Sequence, residues 1–101
     1  MTAVWSLTIS TADCSNTTID SATSHEDAAT AALAAALDAA LDARSGALPQ
    51  RLRYELRAGG ELVALVQTGA AEHSGCPDHA GVVDLIRRIE AARDLSVMTP
   101  R

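Results

Sequence analysis

Between Val4 and Thr11 the chain alternates, with Trp5, Leu7 and Ile9 on one face and Ser6, Thr8 and Ser10 on the other. Period two with one apolar face predicts a half-buried strand. The polar cluster Ala12-Asp13-Cys14-Ser15-Asn16 suits a turn. Thr17 to Ala22, β-prone at its start and mostly polar, reads as a short second strand at a sheet edge. Thr23-Ser24-His25-Glu26 has the capping-box pattern, with Thr23 at N-cap and Glu26 at N3. The helix predicted behind it carries Leu33, Leu37 and Leu41 on one stripe and alanine at most other positions, with Gly46 as its stop. A helix of that length spans ~30 Å against ~23 Å for a seven-residue strand, so it overhangs the sheet.

A second alternating run covers Arg51 to Arg57, where Leu52, Tyr54 and Leu56 oppose Arg51, Arg53, Glu55 and Arg57. Gly59-Gly60 is a hairpin turn signal, and Glu61 to Thr68 is the returning strand. That strand is apolar on both faces: Leu62, Ala64 and Val66 on one, Val63 and Leu65 on the other. A two-residue turn sets Val63 and Leu65 beside Tyr54 and Leu56, while a three-residue turn sets the other group there. In both cases an apolar set is left on the arginine face. Asp78 can cap a last helix with Val82, Leu85, Ile86, Ile89 and Ala92 on one side.

The order is β-β-α-β-β-α in a single domain over residues 1–101, with ββα halves at 4–45 and 50–95 and a tail at 96–101. This pattern predicts an α+β two-layer sandwich, a mostly antiparallel sheet with both helices on one face. The alternative drops the second strand and promotes Leu95 to Thr99 into a strand, giving a ferredoxin-like β-α-β-β-α-β arrangement. The stretches RLRYELRAGGELVALVQTG and GVVDLIRRIEAARDL, within residues 51–95, resemble the YegP-like family of small uncharacterised bacterial proteins. The shared features are an aromatic-x-Leu strand, a Gly-bearing turn, a Val/Leu strand and a Gly-led aliphatic helix. Gly59-Gly60 replaces the family's usual Asn-Gly, and Gly69-Ala70-Ala71-Glu72 stands where a Ser-Glu-x-Tyr stretch is common. The resemblance implies the ββα fold and no activity.

Composition narrows the setting. All eight basic residues are Arg, Phe is absent, and Ala occurs 21 times. That bias follows GC-rich codons and points to a high-GC bacterium, such as an actinobacterium, or its phage. A net charge of −5 argues against a nucleic-acid binder. The first residues lack the basic head and apolar run of a signal peptide, no stretch suits a membrane span, and two cysteines fit a reducing compartment. The expected location is therefore cytoplasmic.

Candidate chemistry sits in His73-Ser74-Gly75-Cys76-Pro77-Asp78-His79. His73, Cys76 and His79 recur every third residue, and Cys14 or His25 would complete a four-ligand zinc site. Cys76 also precedes a helix N-terminus with two histidines near, a setting that lowers a thiol pKa. Such a loop would make a metal- or thiol-dependent regulator. No nucleophile elbow and no Gly-rich phosphate loop occur, so the expectation is a protein without enzymatic activity or cofactor. The leading expectation is a protein-binding or oligomerisation module, homodimeric or with a protein partner. Its surface is the sheet face of Arg51, Arg53 and Arg57 with the outward members of Leu62, Val63, Leu65 and Val66. A phage-encoded inhibitor of a host protein fits the same size and acidity.

Overall fold

The computed structural model describes residues 2–70 and 76–98, with side chains through Arg93. The elements run β1 (Ala3–Ser10), β2 (Ser15–Ala22), α1 (His25–Ser45), β3 (Arg53–Ala58), β4 (Glu61–Gln67) and α2 (His79–Met98). The strands form one sheet in the order β2-β1-β3-β4, and every neighbouring pair is antiparallel. This is the β-β-α-β-β-α sandwich the alternation predicts. The ferredoxin-like alternative fails at both ends: β2 pairs with β1 along its whole length, and residues 95–98 continue α2.

Alternation decides which face is buried. Trp5, Leu7, Tyr54, Leu56 and Val66 point to one side and form a single core with residues of both helices. The helices run antiparallel. Glu26 in the first turn of α1 meets Arg93 late in α2 at 3.3 Å, and Leu48, just past α1, accepts a bond from His79 at the start of α2. No helix among the described residues is long and apolar enough to cross a membrane.

The contact face of α1 is not the leucine stripe. Ala28, Ala29, Ala32, Ala36, Ala40 and Ala43 are buried with Leu33, whereas Leu37 and Leu41 are only half-buried on the flank. Alanine's side chain is a single methyl, so a face made of alanines lets neighbouring elements pack closely, and the bulkier Leu37 and Leu41 fall on its flank. In α2 the expected face is also rotated: Val82, Val83 and Ile86 are buried, Leu85 is exposed, and Ala92 is exposed.

The caps depart by a residue. Ser24 rather than Thr23 is the N-cap of α1, its Oγ accepting from the Asp27 N–H at 3.1 Å, and Thr23 donates to the Asp27 carboxylate instead. At the other end Gly46 keeps a right-handed conformation (φ −81°) and the left-handed residue is Ala47 (φ 47°). Ala47 N–H bonds to the Arg44 carbonyl and Leu48 N–H to that of Ala43, the two reversed bonds of a Schellman motif. Asp78 caps α2, accepting from the Gly81 N–H at 3.0 Å.

The β3–β4 hairpin combines the two registers that the sequence leaves open. Gly59 and Gly60 both have positive φ (60° and 84°), as a two-residue type I′ turn requires, so Ala58 faces Glu61. A bulge then places Leu62 opposite Arg57 and Ala64 opposite Leu56, with Val63 the extra residue. Beyond it Val66 faces Tyr54 in the core, and Leu62 and Leu65 lie on the outer face.

Candidate interaction surface

Both helices cover one side of the sheet, so its other side is open to solvent. Directly opposed residues of antiparallel strands share a face, so the register maps that surface. One row crosses the sheet as Ile19, Ser6, Arg57 and Leu62. The next is Thr17, Thr8, Glu55 and Leu65, and a third is Ser15, Ser10, Arg53 and Gln67. Val4 sits beside Ser21 at the edge of this array.

Four large apolar side chains lie on this face: Ile19 is 66% exposed, Val4 54%, Leu62 52% and Leu65 43%. Val4 and Ile19 are diagonal neighbours on β1 and β2, and Leu62 and Leu65 follow each other along β4. The strip between the two pairs is polar. Thr8 and Thr17 hydroxyls meet at 2.9 Å, and the Arg57 guanidinium donates to Glu55 at 3.2 Å and to the Gly60 carbonyl at 3.3 Å. Arg53 is exposed, and Arg51, just before β3, borders with it a shallow hollow of about 310 Å³ at the strand end. Arg51, Arg53 and Arg57 against Glu55 make this face basic on a chain of net charge −5.

Two of the expected surface residues move. Val66 is buried at 2% exposure because the bulge returns it to the core face, and Val63 is half-buried at the bulge. Val4 and Ile19 are the members that reading the β4 run alone misses. Their signal was parity: each stands on the polar face of its own strand. Trp5 and Tyr54 are both buried on the helix side, so among the described residues the open face has no aromatic ring on which a base could stack.

Among the described residues the suggested zinc ligands His25 and Cys76 do not come together. His73 lies outside the described residues. His25 is at the opposite end of the sheet from Cys76, its ring beside Gly59 and its Nε2 4.0 Å from Glu61, because α1 begins where the β3–β4 turn lies. His79 is 5% exposed, and its Nε2 donates to the Leu48 carbonyl at 2.8 Å, so that nitrogen holds two loops together. Its Nδ1 is buried without a hydrogen-bond partner among the described residues. Cys14 and Cys76 are both exposed at one end of the molecule, in separate hollows of about 430 and 400 Å³ that share Leu48 as a wall. Among the described residues no three His, Cys, Asp or Glu side chains converge as a metal site would need. Comparison with family models, curated proteins and solved structures finds no match.

Proposed function

We propose that this chain is a protein-binding module that works through the open face of its sheet, without catalysis. The observation that supports it most is the gathering of Val4, Ile19, Leu62 and Leu65 on one uncovered face, from strands at both sides of the sheet. Scattered exposed aliphatics need no explanation, but apolar groups collected on one surface and rimmed by polar ones mark interaction sites. The charge pattern sets the kind of partner. A basic face on an acidic chain fits a protein surface that offers carboxylates to Arg53 and Arg57 and aliphatic side chains to the two apolar pairs. The same pattern disfavours face-to-face stacking of two copies, which brings like charges together.

The test is affinity capture from extract with wild-type and Leu65→Asp baits, followed by titration of the purified partner. Leu65→Asp and Arg57→Glu are each expected to weaken binding by about tenfold or more, the range of interface residues that matter. Raised salt weakens the wild type and has less effect on Arg57→Glu. Equal affinity of both variants and the wild type overturns the reading.

A further inference from the structure

The two edges of the sheet are unlike. The β4 edge is broken by the bulge at Leu62 and Val63, a device that twists an edge away from further pairing. The β2 edge has no such guard. Ser15 to Ala22 pairs with β1 without a bulge, contains no Pro, Lys or Arg, and is exposed at every position but Ala22. Its one charge is Asp20.

The ladder shows which backbone groups of β2 are unused. The Val4 carbonyl accepts from Gly59 N–H at 2.7 Å, so Val4 and, by alternation, Ser6, Thr8 and Ser10 turn their peptide groups toward β3. Ala3, Trp5, Leu7 and Ile9 therefore face β2 and engage Ala22, Asp20, Thr18 and Asn16. The peptide groups of Ser15, Thr17, Ile19 and Ser21 point away from the sheet. One of these donors is already satisfied, since Ser21 N–H bonds to the Asp20 carboxylate at 2.8 Å.

We propose that β2 pairs antiparallel with β2 of a second copy of this chain, so that the two sheets join edge to edge across a two-fold axis. The register that fits centres on Thr18 opposite its own copy. Thr17 and Ile19 of each chain then exchange N–H···O=C bonds with Ile19 and Thr17 of the other. Ser15 N–H meets the Ser21 carbonyl, which needs nothing from the Ser21 N–H that Asp20 holds. On the helix side Asn16 stands opposite Asp20, an amide against a carboxylate, and the two Asp20 side chains are kept apart. On the open side Ile19, the most exposed large apolar residue described, packs diagonally across the axis on its counterpart. A second copy is the occupant because Thr17 and Ile19, and Asn16 and Asp20, find their complements on the same strand reversed. The open faces of the two copies become one continuous surface twice as wide.

The test is light scattering with size exclusion across a dilution series of the full chain, together with residue-resolved amide exchange. A dimer is expected whose Thr17 and Ile19 amides exchange about tenfold or more slowly on concentration, while Thr18 and Asp20, bonded within the monomer, stay protected throughout. Ile19→Lys and Thr17→Pro put a charge and a missing donor on the edge and are each expected to abolish the dimer while keeping the circular dichroism of the fold. Leu65→Asp, on the far strand, keeps it. A monomer at every concentration overturns the proposal. So does a dimer whose Thr17 and Ile19 amides exchange as in the monomer, or one that survives both edge variants while the fold is intact. None of these outcomes bears on partner binding through Arg57 and Leu65.

Discussion

At the scale of single residues, two positions hold their conformation or environment at a cost. Ala47 occupies the left-handed region at the end of α1, where a Cβ is penalised by about 1 kcal/mol relative to glycine. Gly46, one residue earlier, does not need its freedom. Ala47→Gly is therefore expected to raise stability by about 1 kcal/mol, seen as a rise of about 4–8 °C in a thermal melt. Gly46→Ala, whose new Cβ would lie 3.4 Å from the Asp42 carbonyl, is expected to change little. Tyr54 is wholly buried, and its hydroxyl has no partner among the described residues. Burial pushes its pKa above the ordinary 10.0, because the phenolate would be stripped of water. The folded state then keeps a proton that the unfolded chain releases. Stability is full below pH about 10 and is lost as pH rises beyond it. Tyr54→Phe is expected to leave stability at neutral pH unchanged or slightly higher and to flatten the alkaline loss, as measured by urea melts at stepped pH.

At the scale of elements, α1 shows how packing overrides hydrophobicity. Ala36 is fully buried and Leu37 is half-buried beside it. Enlarging the smaller residue is expected to do more harm than trimming the larger one. Ala36→Leu must push α1 away from the elements packed on it, at a cost of about 3 kcal/mol or more, at the upper end of overpacking. Leu37→Ala gives up only part of a leucine's burial and is expected to cost about 1–2 kcal/mol. Denaturant melts of the two variants decide the order. The legibility of the elements followed the same divide. Trp5, Leu7 and Ile9 announced β1 because a strand's period is short and local. The leucine stripe of α1 does not mark its contact face, because every alanine is a weak hydrophobe in the chain and a strong contact once two surfaces meet.

At the scale of the whole molecule, the fold and the candidate surface are separable. Leu62 and Leu65 are about half exposed and contribute little to the core. The double variant Leu62→Ser, Leu65→Ser is expected to melt within about 1 kcal/mol of the wild type, as surface substitutions do, while losing the protein binding proposed for the open face. Calorimetry and titration on the same sample check both halves. A collapse of stability would show instead that the aliphatic row serves the sheet itself.

Alternation, glycine pairs and capping residues are local signals, and they determined the order β-β-α-β-β-α, the position of the turns and which residues of β1 and β3 face inward. They also showed an apolar set left over on the arginine side. Which members of β4 belong to that set was decided by a single bulge, since one inserted residue reverses every side chain beyond it. That Val4 and Ile19 share a surface with Leu62 and Leu65 depends on strand order, which no short-range pattern encodes. The separation of His25 from Cys76 has the same origin: the two lie at opposite ends of the sheet, a distance that exists only once the strands have paired.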